Sequence, residues 1–269
     1  MRSSNPVMNS LSNSSSPYQS DYGYSQTSTA DYSGEQVKAA RPMTVDDVVT
    51  KTGITLAVIV AFAVVNFGIG AFVDQGLAMI LTLVGGIAGF ITVLVASFGK
   101  KWGSAPVTLI YAAFEGLFVG GFSMLLSGFV VGNANAGALI SQAILGTIGV
   151  FMGMLFVYKT GAVKVTPKFN KIVTAAIFGV AILALGNFLL AIFTGNNPLR
   201  DGGMLAIVFS IVCIVLAALS FMTDFDAADN MIRRGVPSNY AWGVALGLAV
   251  TLVWLYTEIL RLLSYFQQR

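Results

Sequence analysis

The chain has 269 residues, of which 56% are hydrophobic and only 10% charged, with a mean hydropathy of +0.79 and a formal net charge of +3. A water-facing domain carries about 25% charged residues, so this composition excludes a soluble globular protein. The absence of histidine and the single cysteine, Cys213, remove the commonest general base, any intrachain disulfide and a thiolate metal cluster.

Residues 1–37 hold eleven serines and four tyrosines (Tyr18, Tyr22, Tyr24 and Tyr32), with no Ile, Phe or Trp. Such a segment buries too little apolar surface to offset the entropy of ordering it. Residues 1–40 therefore read as a disordered cytoplasmic tail, solubilising in role, with regulation by phosphorylation the alternative. No apolar run follows Arg2, which argues against a signal peptide.

Order is expected from Arg41-Pro42 onward. Thr44 followed by Asp47 matches a helix N-cap with an acid in the first turn, where backbone N–H groups lack partners. Residues 41–53, which include TVDDVVTKTG, read as a short interfacial lead-in helix with Lys51 at the lipid headgroups. Seven apolar stretches follow, near 54–73, 77–98, 106–131, 137–158, 172–194, 203–223 and 241–263, each long enough to cross a ~30 Å hydrocarbon core. Short separators such as Asp74-Gln75-Gly76, Gly99-Lys100-Lys101, Gly132-Asn133 and Gly195-Asn196-Asn197-Pro198 divide them. The fold class is an all-α membrane protein, with residues 54–266 forming a seven-transmembrane helix bundle.

Orientation follows from the basic residues. With the N-terminus cytoplasmic, the tail and the 2–3, 4–5 and 6–7 loops hold four, two, four and two Lys/Arg. The opposite loops hold only Arg200, while Arg261 and Arg269 lie near the C-terminus. This asymmetry obeys the positive-inside rule, and seven crossings place the C-terminus outside, whereas six crossings with one re-entrant segment would place it inside. Three glycine pairs, Gly85 with Gly89, Gly116 with Gly120 and Gly149 with Gly153, have the small-xxx-small spacing that lets helix backbones approach. They read as tight contacts within the bundle. Asn66, Gln142 and Asn187 read as amides that hydrogen-bond between helices.

The acids carry the functional signal. Glu115 lies nine residues into the third stretch, about 13 Å deep and near the midplane. A lone carboxylate there must face the interior, find a partner or stay protonated, and by default it reads as functional, with a structural carboxyl bonded to a neighbouring helix the alternative. Asp224 and Asp226 fall at the cytoplasmic end of the sixth span, on different helix faces, with Asp229 and Arg233 just beyond. Glu258 and Arg261, three apart near the outer end of the seventh span, read as a supporting ion pair.

Three segments together, APVTLIYAAFEGLFVGG, MTDFDAADNMIRRG and ALGLAVTLVWLYTEILRLL, resemble the Bax-inhibitor (TMBIM) family, with a closer likeness to its bacterial YccA-like branch. The resemblance covers roughly residues 43–266. It implies a seven-helix protein of the bacterial cytoplasmic membrane that conducts a slow, pH-sensitive calcium leak. It also implies that a pair of aspartates on the last two helices gates the pore. Asp224 matches the first of these. Alignment on ALGL and Arg261 puts Thr251 at the second, where a threonine cannot share a proton in that way. Either Glu115 or Asp226 substitutes, or the gate is lost in this chain.

The residues themselves are compatible with that function. Calcium takes oxygen ligands, so carboxylates and carbonyls suffice, and close carboxylates respond to pH without histidine. The expectation is a cation leak whose pathway involves Glu115, Asp224, Asp226 and Thr251, with calcium as permeant or transiently bound ion at Glu115 or Asp224 and no resident cofactor. The expected partners are the lipid bilayer, calcium and protons, with no nucleic acid. The alternative is a non-conducting regulator that binds a membrane protease or a stress-response partner. An enzyme is not expected: there is no phosphate-binding loop, and a Ser–His dyad is impossible. Proton-coupled transport stays open.

Overall fold

The computed structural model describes residues 41–99, 102–130 and 136–267. The expected disordered tail, the Lys100-Lys101 and Gly132-Asn133 connections and Arg269 lie outside these residues. Seven helices are long and apolar enough to cross a membrane. They are α1 (Val45–Phe72), α2 (Gln75–Phe98), α3 (Ala105–Leu125), α4 (Ala136–Thr160), α5 (Pro167–Thr194), α6 (Met204–Arg233) and α7 (Ala241–Gln267). A π-helical turn, Leu126–Val130, extends α3, and a short 3-10 turn, Ser238–Tyr240, precedes α7. The chain is a multi-pass membrane protein, and regular helix is what a bilayer demands, since lipid supplies no partners for backbone N–H and C=O.

Local chemistry sets the helix ends. Thr44 caps α1 by accepting from Asp47 N at 3.2 Å, while Thr44 N donates to Asp47 Oδ2 at 3.0 Å. Arg41 Nη2 lies 2.6 Å from Asp47 Oδ1 and closes this box from outside. Asp74 and Thr166 cap α2 and α5 through Leu77 N and Phe169 N, and Gly195, at φ +72°, ends α5 in the left-handed region open to glycine.

Two boundaries differ from expectation. The lead-in is not separate from the first span: one helix runs Val45–Phe72, because nothing between Thr44 and the apolar run breaks it. Likewise α6 continues past the sixth apolar stretch to Arg233, so Asp224 and Asp226 stand inside a helix and not at its end.

The helices alternate in direction, which gathers the start of α1, the α4–α5 loop and the end of α6 at one end of the bundle. The α1 lead is stitched to the α6–α7 loop there: Met43 N donates to Val236 O and Ser238 N to Arg41 O, both at 2.8 Å. Lys51 Nζ reaches Ser238 O at 2.5 Å in the same corner. Helix α7 is the central element, buried along most of its length, whereas α5 is exposed along nearly all of its own. One apolar core joins α1, α6 and α7 through Val48, Phe221, Phe225 and Leu255. A second joins α1, α3 and α7 through Ile59, Tyr111, Ala112 and Val253.

Glycine sets the closest approaches. A Cβ on Gly116 would lie 2.5 Å from Ile59 O, and one on Gly120 would collide with Ala63 O, so α1 and α3 meet backbone to backbone. Gly85 does the same for α2 against Phe114 O. The third pair behaves otherwise. Gly149 and Gly153 are exposed, with open space where a Cβ would point, so they serve no contact within the described residues.

Candidate functional site

Three polar residues named from the sequence share one level of the bundle. Glu115 is ten residues from the start of α3, Thr251 ten from the start of α7 and Asp224 nine from the end of α6. At a rise of about 1.5 Å per residue, all stand roughly 14–15 Å from the same end. Helix α7 lies between the other two, packing against α3 on one side and α6 on the other.

On the α6 side, Thr251 Oγ1 lies 2.7 Å from Asp224 Oδ2. The same hydroxyl has a second acceptor one turn back, Gly247 O at 3.2 Å. Thr251 is buried and Asp224 partly buried, so this is an interior bond between helices. Asp224 is therefore partnered by Thr251 itself. Asp226, the suggested substitute, turns elsewhere and accepts from Asn230 Nδ2 at 2.9 Å. Asp229 pairs with Arg233 at 2.7 Å, one turn along, and accepts from Tyr158 at 3.3 Å.

On the α3 side, Glu115 is partly buried and makes no hydrogen bond or ion pair among the described residues. Its carboxylate sits over Gly89 of α2, whose missing Cβ would lie 2.9 Å from Glu115 Oε2. Glycine at this position makes the room that the carboxylate occupies. Glu115 and Asp224 are not brought into contact, and Glu115 cannot substitute for Thr251 as Asp224's partner in this conformation.

Nearer the other end, Glu258 is 3% exposed and held by two guanidiniums. Arg261 Nη1 lies 2.8 Å from Glu258 Oε1, and Arg200 Nη1 lies 3.1 Å from the same oxygen. Arg200 comes from the α5–α6 loop. Its role was missed by sequence reasoning, although it is the single basic residue in a loop at that end among the described residues, which was the available signal. Cation–π contacts support both arginines: Arg200 over Phe209 at 5.3 Å and Arg261 over Phe122 at 5.2 Å.

The other intramembrane amides divide. Asn66 Nδ2 donates to Leu117 O at 2.6 Å and Thr82 Oγ1 at 3.0 Å, tying α1 to α3 and α2. Asn187 accepts from Leu199 N at 3.1 Å and donates to Asn197, which fixes the α5–α6 loop. Gln142 instead lies exposed on α4. Ser123 and Tyr256 join α3 to α7 with a 2.8 Å hydroxyl–hydroxyl bond.

No group of three or more His, Cys, Asp or Glu able to hold a metal forms among the described residues. The arrangement can therefore offer a passing cation single carboxylates and carbonyl oxygens in turn, and nothing resembling a closed cage.

A family model described as Bax inhibitor 1 like matches residues 5–268. Comparison with curated proteins gave no match.

Proposed function

The chain belongs to the Bax inhibitor 1 like family, and from that premise we propose that it is a pH-sensitive cation leak, with calcium as the permeant ion. The Asp224–Thr251 bond carries this reading. It spans the last two helices at the position where the family resemblance puts a proton-sharing pair. The bond also tolerates a change of protonation. With Asp224 ionised, the threonine hydroxyl donates to the carboxylate. With Asp224 protonated, the acid donates to Thr251 Oγ1 and the hydroxyl turns to Gly247 O. A threonine thus keeps α6 and α7 joined in either state, where two aspartates would alternate between sharing a proton and repelling.

Glu115 is the second support. It stands at the same level with no partner among the described residues to fix its charge, in a part of the bilayer where acids mark ion and proton paths. In this scheme Glu115 sets the pH response and the Asp224–Thr251 bond sets the closed spacing of α6 and α7. The basic end of the bundle, with Lys159, Lys164, Lys168, Lys171, Arg233 and Arg234, faces the cytoplasm of a bacterial cell, which puts the C-terminus outside.

Calcium entry into liposomes holding the purified full-length protein, measured across a pH series, tests this. Glu115→Gln is expected to flatten the pH dependence, and Asp224→Asn to change the basal rate. Equal flux from wild type, both variants and empty liposomes removes the proposal.

A non-conducting regulator is favoured by one observation, an apolar groove of about 540 Å³ on the lipid-facing surface. Val60, Val64, Ile144, Ile148 and Tyr256 are among the residues that line it. Liposomes that stay tight, together with loss of a co-purifying membrane protein in Val64→Trp, would favour that reading.

A further inference from the structure

At the end of the bundle where α5 passes into α6, a cavity of about 620 Å³ opens between α3, α5 and α7. Its polar lining comes from Asn187, Asn197, Arg200, Asp201, Arg261, Ser264 and Tyr265. The two arginines both turn Nη1 to Glu258, which lies behind the cavity wall. One carboxylate between two guanidiniums leaves an excess of one positive charge beside the cavity. Asp201 also lines the cavity and offsets that charge formally, but it stands exposed at the rim, where water screens it, and its Oδ1 accepts from Gly203 N at 2.8 Å.

Donors remain unused. A guanidinium carries five N–H groups, and beyond the bonds to Glu258 those of Arg200 and Arg261 meet no protein acceptor among the described residues. Each guanidinium also lies over an aromatic ring, Arg200 over Phe209 and Arg261 over Phe122, which helps hold it in place. Tyr265 is 5% exposed, and its buried hydroxyl has no hydrogen-bond partner among the described residues. A buried hydroxyl without a partner is a cost that a native fold retains for a reason.

We propose that this cavity is a phosphate-binding site, in which the free edges of Arg200 and Arg261 hold the anion and the Tyr265 hydroxyl, covered in this structure, turns to meet it. Arginine forks match tetrahedral phosphate oxygens better than a point charge does. The Asn187–Asn197 bond holds the loop that delivers Arg200. The depth fits either a free phosphate or a phospholipid headgroup, since Arg261 is six residues before Gln267, about 9 Å along the helix. Phe122, Leu125 and Phe188 line the rest of the cavity and could accompany the apolar part of a lipid.

The full-length protein is delipidated in detergent and its thermal unfolding followed by tryptophan fluorescence. One arm adds inorganic phosphate against chloride at matched ionic strength. The other compares phosphatidylcholine discs with discs that also contain phosphatidylglycerol. Either anion is expected to raise the wild-type melting temperature by about 3 °C. Tyr265→Phe, which loses only an unpartnered hydroxyl and keeps the ion triad, should bind about tenfold more weakly. Arg261→Lys keeps the charge without the fork and should show a similar loss. A response to phosphate with no further gain from phosphatidylglycerol identifies the free anion, and a response to the lipid alone identifies the headgroup. No shift with either probe, or equal shifts in wild type and Tyr265→Phe, overturns the site.

Discussion

Thr251 Oγ1 and Asp224 Oδ2 join α7 to α6 through one bond of 2.7 Å in the interior of the bundle. Thr251 is buried and Asp224 partly buried, so water makes good only part of the bond's loss. Thr251→Val keeps the shape of the side chain and removes the hydroxyl, leaving Asp224 Oδ2 without its partner. A hydrogen bond to an ionised group contributes about 1.5–3 kcal/mol, and Thr251→Val should lose stability in that range, while Thr251→Ser loses little. Chemical unfolding in micelles measures both. A valine variant as stable as wild type would show that the bond holds nothing.

Restoring a second carboxylate at this position should change the pH response. Two acids within hydrogen-bond distance cannot both ionise cheaply, so they titrate as a pair. In Thr251→Asp the bond to residue 224 exists only while one proton is shared. The calcium leak proposed above should then vary more steeply with pH than in wild type, where the threonine bridges both protonation states. Flux profiles of the two proteins that superimpose would refute the idea that this pair governs the spacing of α6 and α7.

Identical spacing gives opposite expectations for two glycine pairs. At Gly116 and Gly120 an added methyl meets the backbone oxygen of Ile59 or Ala63, which cannot swing aside. Alanine at either site should cost about 1–3 kcal/mol through forced separation of α1 and α3. At Gly149 and Gly153 the methyl meets open space. Alanine there should be neutral or stabilising by up to ~1 kcal/mol, because glycine is the poorer helix former. Melting temperatures of the four variants make the comparison.

These glycines also show what a sequence carries. Spacing identifies surfaces able to approach, and only the neighbour's position decides whether they do. The seven spans were legible because a bilayer leaves the chain almost no other solution. The Thr44 cap and the Glu258–Arg261 pair were legible because both are local to one helix. Arg200 was not, since its contact with Glu258 bridges 58 positions. Nor was Gly89, whose role depends on Glu115 arriving from another helix. Thr251 was found only through the resemblance, and the sequence alone gave no sign that it would bond Asp224.

The room at Gly89 can be tested directly. An alanine methyl would fall 2.9 Å from Glu115 Oε2 and displace the carboxylate without altering its chemistry. Gly89→Ala should therefore shift the leak in the same sense as Glu115→Gln, with little loss of fold, because the carboxylate is the flexible end of its side chain. If Gly89→Ala leaves flux unchanged while Glu115→Gln alters it, the carboxylate's position over α2 is immaterial.

The Glu258 triad separates stability from charge pairing. Removing Glu258 alone strands two guanidiniums in a mostly buried place, since their side chains are 24% and 15% exposed for Arg200 and Arg261. Breaking a buried pair in this way costs about 3–5 kcal/mol, so Glu258→Gln should unfold at clearly lower temperature than wild type. The penalty belongs to the uncompensated charge and not to a lost attraction. Replacing all three residues by apolar ones of similar size should accordingly recover most of the loss, as Arg200→Met, Glu258→Leu and Arg261→Met in one chain. The same triple variant removes the phosphate site, so its melting temperature should no longer respond to anions. A triple variant less stable than Glu258→Gln would mean that the triad holds the α5–α6 loop against α7 by attraction, and that the charges themselves stabilise the fold.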